Sequence, residues 1–327
     1  MIRDPWVKQV REGAHAMGAV MMAFYGIGLV LSLAVSVAML FVHNQLMQDG
    51  LTADTYLSGT AGGLILSAIL YLLPLLPPYL FVAYVRGFTV RDLFGRGKAP
   101  LSVYGMCFGI CLVISLAASL LTAILGAVFG AMFGVTEATD NYIMPGSPAA
   151  AVLQFLYIAI LPPLIEELCF RGYMFLESRR TAGTLTAALI SAVLFALCHR
   201  QFSVIPLAIM FGFFAACVRE KYDTILPAMV GHMAVNGLYF VVNYHTYAMS
   251  DSQYLPFMAK VNGLALILGA LAIYWMFRRN HYSVEEMFSF RKPNPVSEEK
   301  IAFGYLTSIP FVCAVALMIG TAIYYLQ

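Results

Sequence analysis

Charge is what this sequence has least of. Only 11% of its 327 residues are Asp, Glu, Lys or Arg, and 61% are hydrophobic, whereas about a quarter of the residues of an ordinary soluble protein are charged. So few charges cannot cover a soluble surface of this size, and we therefore expect lipid to surround much of the chain. The formal net charge of +2, without a basic cluster interleaved with aromatic residues, argues against a nucleic-acid partner.

Several hydrolase signatures are also missing. The six cysteines all lie in apolar runs and form no Cys-x-x-Cys pair, which is typical of small buried side chains and not of disulfide or metal frameworks. There is no Gly-x-Ser-x-Gly and no His-Glu-x-x-His, the motifs of serine hydrolases and zincin proteases. These absences disfavour a Ser or Cys nucleophile and a zincin-type metal site.

What the chain has instead is long apolar runs. Nine of them are long enough to span a bilayer, or nearly so, and they cover residues 17–42, 57–85, 106–133, 149–175, 185–199, 204–218, 226–242, 257–277 and 303–325. We therefore predict an all-α fold, a polytopic transmembrane helical bundle with about nine membrane segments. The fifth, sixth and seventh segments are short and carry polar residues, so we expect them inside the bundle beside a water-filled cavity.

Loop charges predict the orientation of this bundle, because Lys and Arg accumulate on the cytoplasmic side of a membrane. They gather at the N-terminus and in every second loop after it, at 86–98, 179–180, 219–221 and 278–300. The alternate loops carry acidic residues, such as Glu137 and Asp140, or little charge; Arg200 is the one mild exception. We predict a cytoplasmic N-terminus and a short interfacial helix at 282–290.

We divide the chain into three parts: 1–147 with segments 1–3, a catalytic core at 148–245 with segments 4–7, and 246–327 with segments 8–9 and a cytoplasmic linker. The core is set apart by ionisable residues inside apolar segments, which are costly in a membrane and usually functional. Glu167 and Arg171 are four residues apart and share a helix face, so they are expected to form an ion pair. Glu166 points about 100° away from that face and is the candidate general base or acid.

Two further pairs show the same one-turn spacing. Phe195 and His199 share one face of segment 5, and His232 and Asn236 share one face of segment 7. Counting about 1.5 Å per residue from the charged loops places Glu166, His199 and His232 at different depths. Their convergence requires helix tilt or helix breaks, for which Pro162-Pro163 and the region before His232 are the candidates.

This set of side chains suits hydrolysis. A carboxylate and an imidazole can take the proton of an attacking water, while a second imidazole and an amide N–H donate to the developing oxyanion. Glu166, His199 and His232 are equally a ligand set for a divalent metal such as zinc, with the carboxylate activating bound water. The residues by themselves leave both chemistries open.

The three motifs resemble those of the CAAX-protease and bacteriocin-processing (CPBP, or Abi) membrane endopeptidases, the type II CAAX prenyl proteases. Their order is Glu-Glu-x-x-x-Arg, Phe-x-x-x-His and His-x-x-x-Asn, as in Glu166-Glu167-…-Arg171, Phe195-…-His199 and His232-…-Asn236. The resemblance covers roughly residues 154–243. It implies that Glu166 and His199 activate water, that His232 and Asn236 hold the oxyanion, and that Glu167 and Arg171 support the geometry.

We accordingly expect an intramembrane endopeptidase in a bacterial cytoplasmic membrane, with a membrane-associated peptide or lipidated protein tail as its substrate. Two other functions stay open at this point. A proton-coupled transporter would use Glu166, His199 and His232 as a relay, although no paired inverted repeat is visible in the sequence. A non-catalytic immunity or scaffold protein would keep the family's fold without its chemistry.

Overall fold

The computed structural model describes residues 4–134, 142–279 and 296–325, and these residues form helices and no strands. The predicted loop with Glu137 and Asp140 and the predicted interfacial helix at 282–290 lie outside them. The helices of the first part are α1 Pro5–Gln48, α2 Ala53–Gly59, α3 Ala61–Val85, α4 Val90–Phe94 and α5 Leu101–Phe133.

The second and third parts continue this pattern. Their α-helices are α6 Pro148–Phe155, α7 Leu161–Glu167, α8 Phe175–Cys198, α9 Ile205–Tyr222, α10 Leu226–Thr246, α11 Asp251–Arg279, α12 Glu298–Leu306 and α13 Ile309–Tyr324. Two π-helical segments, Leu156–Ile160 and Leu168–Met174, join α6, α7 and α8 into one stretch. A short 3-10 turn, Phe202–Val204, precedes α9.

Polar capping residues begin several of these helices. The Asp4 carboxylate accepts the backbone N–H of Trp6 at 2.9 Å before Pro5 opens α1, and the Ser147 hydroxyl accepts the N–H of Ala150 before Pro148 opens α6. A capped first turn followed by proline is a common helix start, because it satisfies orphan N–H groups or removes them.

The predicted apolar segments all fall on helices. Segments 4 and 5 belong to one helical stretch, 148–198, which bends at Gly183 (φ 71°, ψ 174°), a backbone conformation that side chains disfavour. Among the described residues, six helices are long and apolar enough to cross a membrane, or seven if α12 and α13, which meet at 77°, form one broken span. The count of nine, the cytoplasmic N-terminus and the three-part division stay predictions.

The middle segments lie inside the bundle, as their polar residues predicted. In the most apolar window of each helix, 61% of residues are buried in the 148–198 stretch and 50% in α9, against 6% in α1 and 17% in α3. The outer helices present apolar side chains outward, for example Phe41 and Leu101, each 85% exposed. The molecule is therefore a polytopic helical bundle whose apolar exterior suits lipid and whose polar residues are central.

Candidate active site

A cavity of about 520 Å³ lies between α3, the 156–167 region, the end of α8, α9 and α10. It is lined by the four side chains predicted to be catalytic, Glu166, His199, His232 and Asn236, and by Phe195. Tyr71, Tyr157, Gln201 and Tyr239 add further polar atoms to its wall. Residues that are 70 positions apart in the sequence thus face one space.

Glu166 has partners on two sides. The Tyr71 hydroxyl donates to Oε1 at 2.7 Å, and Nε2 of His232 lies 3.6 Å from Oε2. The Glu166 side chain is 14% exposed, so the carboxylate is accessible from the cavity and yet largely enclosed. A distance of 3.6 Å is too long for a direct hydrogen bond, but a water molecule beside the pair can bond to both atoms.

His232 is oriented by Glu167. Its Nδ1 lies 3.1 Å from Oε1 of Glu167, and because a carboxylate only accepts, Nδ1 carries the proton and donates. Nε2 therefore faces Glu166 and the cavity. A histidine whose second nitrogen is held in this way keeps a fixed tautomer and ring orientation.

The ion pair predicted from the Glu167 and Arg171 spacing is present and fully buried. Nη1 of Arg171 lies 3.2 Å from Oε1 of Glu167, and neither side chain is exposed. The guanidinium also stacks over Phe195, 4.3 Å from the ring centroid, and Phe195 meets His199 edge-on at 4.7 Å. Phe195 therefore links the buried cation to the histidine that shares its helix face.

His199 ends α8 with its ring turned toward its own helix. Its Nδ1 lies 2.8 Å from the carbonyl oxygen of Phe195, and since a carbonyl only accepts, Nδ1 donates and Nε2 is left as a proton acceptor. Arg200 follows with φ 61°, a left-handed conformation that stops the helix. The imidazole is thereby held at the cavity wall in the tautomer that a general base needs.

Asn236 replaces a backbone hydrogen bond that the two prolines remove. Pro162 and Pro163 have no N–H to donate, so the carbonyl of Ile158 loses both its α-helical and its π-helical partner. Nδ2 of Asn236 donates to this carbonyl at 3.1 Å and keeps a second N–H. At the candidate break Pro162-Pro163 the structure has the π-helical segment Leu156–Ile160, whose central carbonyl accepts from a side chain instead of the backbone.

The divalent metal suggested for Glu166, His199 and His232 stays a prediction. Among the described residues, no group of three His, Cys, Asp or Glu side chains is placed so that it could hold a metal ion. Nδ1 of His232 is directed to Glu167 and Nδ1 of His199 to a backbone carbonyl. These bonds leave Nε2 of each histidine as the nitrogen that a metal ion would use.

Tyr71 was not singled out in the sequence. It lies in α3, outside the segment that carries the three motifs, and the chain has 19 tyrosines. The only signal is a hydroxyl in the middle of an apolar run, which is too common among these tyrosines to select one. The hydrogen bond to Glu166 is visible only once α3 is placed against α7.

The fold and the site define a class: a multi-pass helical membrane protein with carboxylate, imidazole and amide groups around an internal cavity. Residues 148–238 match the family model described as Rce1-like type II CAAX prenyl endopeptidase. All seven predicted site residues fall within the match, whereas Tyr71 does not. Neither the curated proteins nor the solved structures provide a match to the chain. The family supports intramembrane endopeptidase activity in general terms.

Proposed function

We propose that the chain hydrolyses a membrane-associated peptide or lipidated protein tail in a bacterial cytoplasmic membrane, with water activated by Glu166 and His199. The observation that supports this best is the convergence of Glu166, His199, His232 and Asn236 on one cavity. The helices that carry them place these groups around a space large enough for a peptide segment and a water molecule.

In this mechanism Glu166 and His199 share the work of a general base. The water lies at Oε2 of Glu166 and gives up a proton as its oxygen attacks the carbonyl carbon of the scissile peptide bond. Nε2 of His199 is the second proton acceptor, because its Nδ1 is occupied by Phe195. The proton is then passed to the leaving amine, which completes hydrolysis.

His232 and Asn236 face the oxygen that becomes negative. The second N–H of Asn236 and, when the ring carries both protons, Nε2–H of His232 donate to the oxyanion. Donors fixed before the reaction stabilise such charge strongly in a site that excludes most water. Glu167 and Arg171 touch neither substrate nor water and act by fixing the His232 ring.

The test uses the full chain, purified in a neutral detergent, with fluorogenic membrane peptides that carry or lack a prenylated cysteine. Glu166→Gln keeps the size of the side chain but removes the base, so cleavage should fall by about 10²- to 10⁴-fold. Glu12→Gln, in an exposed part of α1, is the matched control and should leave cleavage unchanged. Undiminished proteolysis in Glu166→Gln and in Glu166→Ala would contradict the proposed role of Glu166, and no cleavage by the unaltered chain would favour a non-catalytic protein.

A parallel sample treated with a chelator tests the metal. Loss of cleavage that returns on addition of Zn²⁺ would show that a metal takes part and that the ligands move together when it binds. Unchanged cleavage would leave the carboxylate and imidazole as the activating groups.

A further inference from the structure

A second cavity, of about 560 Å³, lies at the ends of the helices and shares no lining residue with the first. Its walls are α4 with the turn after it, the beginning of α8 and the end of α9. Four arginines line it against two aspartates: Arg96, Arg179, Arg180 and Arg219, with Asp92 and Asp223. Its loops are among those whose Lys and Arg content predicts the cytoplasmic side.

The two aspartates have hydrogen-bond partners within the wall. Arg96 donates to Oδ1 of Asp92 at 2.6 Å, and the Thr89 hydroxyl and N–H donate to Oδ2 at 2.6 and 2.9 Å. The bonds from the Thr89 side chain and backbone hold the pKa of Asp92 well below its usual value. Asp223 accepts from Arg219 at 2.5 Å and from the N–H of Arg96 at 3.2 Å. Each carboxylate is thus paired with an arginine of the same wall.

Arg96 and Arg179 have guanidinium N–H groups that their known contacts do not use. Each guanidinium has five N–H groups, and the contacts described for Arg96 use only Nε and Nη2. Arg179 donates from Nη1 to Glu220 at 2.8 Å, outside the cavity lining. Arg219 is 2% exposed, and it donates from Nη1 to Asp223 and from Nη2 to the carbonyl of Asp92. Arg180 is likewise paired, with its Nη1 3.3 Å from Glu177, so what the cavity offers an anion is the remaining N–H groups of Arg96 and Arg179.

The walls are fixed to one another by backbone contacts. The N–H of Gly97 donates to the carbonyl of Asp223 at 2.9 Å, and the N–H of Ile225 donates to the carbonyl of Phe94 at 3.1 Å. Gly95, at φ 93°, sits so close to the carbonyl of Asp223 that a Cβ would collide with it. Because the loop after α4 is hydrogen-bonded to the α9–α10 turn, ordering this loop adds little to the free-energy cost of binding a ligand.

We propose that this cavity binds a phosphate group, either of an anionic lipid headgroup or of a free phosphate. Guanidinium groups from three separate segments surround the space. They can bond to the several oxygens of a phosphate from different directions, whereas a carboxylate ligand offers two oxygens in one plane. Anionic lipid headgroups lie at the same level as the helix ends on the Lys- and Arg-rich side of a membrane. This inference does not depend on the proposed proteolytic activity.

Two binding measurements on the full chain separate the sources. Native mass spectrometry in neutral detergent, with equal phosphatidylglycerol and phosphatidylcholine, measures lipid binding, and calorimetric titration with inorganic phosphate measures the free anion. Arg96→Gln and Arg179→Gln, on opposite walls, should each weaken binding about tenfold, the change that about 1.4 kcal/mol produces. Arg91→Gln, an exposed residue of α4 that does not line the cavity, is the control and should bind as the unaltered chain does.

Preference for phosphatidylglycerol would assign the site to lipid, and heat from inorganic phosphate alone would assign it to a free ligand. The proposal is overturned if the unaltered chain shows neither. It is also overturned if Arg91→Gln weakens binding as much as the cavity variants do, because the attraction is then diffuse. Thermal unfolding of each variant shows whether that variant is folded. If a variant is not folded, the binding measurements on the unaltered chain still test whether the protein binds phosphate.

Discussion

Three polar side chains of the active-site cavity, those of Glu166, His232 and Asn236, are held by partners from other segments. Tyr71 in α3 bonds to Glu166 in α7, Glu167 bonds to His232 in α10, and the carbonyl of Ile158 bonds to Asn236. Such supporting contacts keep reacting groups in position without touching the substrate. The consequences can be tested one side chain at a time.

Tyr71→Phe removes only the hydroxyl that donates to Glu166 and should lower kcat about 10- to 100-fold with little change in KM, because a hydrogen bond to a charged group contributes about 1.5–3 kcal/mol. Tyr79→Phe is the matched control on the same helix, where the hydroxyl donates to Sδ of Met21 instead. Peptide-cleavage kinetics measure both variants. An unchanged kcat in Tyr71→Phe would remove Tyr71 from the positioning contacts.

Arg171→Met leaves the Glu167 carboxylate buried without its cation, and we expect it to lower the free energy of unfolding by about 3–5 kcal/mol. Adding Glu167→Gln removes the uncompensated charge but keeps an acceptor for His232, so the double variant should recover much of the loss. Unfolding in detergent measures all three chains. If the double variant is no more stable than Arg171→Met, the loss of stability does not come from the uncompensated charge of Glu167.

At the scale of elements, small residues decide how closely helices approach. Gly18 in α1 lies where a Cβ would collide with the backbone of Pro310 and Phe311 in α13, while Gly26, two turns further along α1, has open space around it. Close backbone approach at glycine is a common way for membrane helices to associate. The crossing of α1 and α13 therefore depends on Gly18.

Gly18→Ala should lower the stability of the full chain by about 1–3 kcal/mol, because the helices must separate or shift to admit the methyl group. Gly26→Ala, in the same helix, should raise stability by up to about 1 kcal/mol through helix propensity alone. Thermal unfolding in detergent compares the two. Equal effects at both positions would mean that α13 does not lie against Gly18 as described.

At the scale of the whole molecule, the charge pattern predicts which loops face which side of the membrane. Lys98 lies in a loop predicted to be cytoplasmic, and Ser252 lies in a region predicted to be external. Both residues are exposed. A thiol reagent that cannot cross membranes should label Ser252→Cys in intact cells and Lys98→Cys only after permeabilisation, with the unaltered chain as the background. The opposite pattern would show that the bundle has the inverted orientation. Labelling of both variants in intact cells would contradict the predicted alternation of loops.

The sequence by itself determined the membrane-embedded helical class and the choice of side chains around the cavity. Both depend on local composition and helical spacing: apolar runs need lipid or a core, and residues four apart share a face, as Glu167 and Arg171 do. It also marked Pro162-Pro163 as a candidate for a helix break, because a proline has no N–H wherever it lies. The family match over 148–238 agrees with the motifs that carried the resemblance.

Only the tertiary structure decided what meets across helices. The contact of Tyr71 with Glu166, the use of Asn236 on the carbonyl of Ile158, and the arginine-lined cavity all join segments far apart in the chain. Helical spacing says which face a residue is on, but not which helix lies opposite it or at what depth. Those two quantities follow from how all the helices fit together, and one segment's sequence does not contain them.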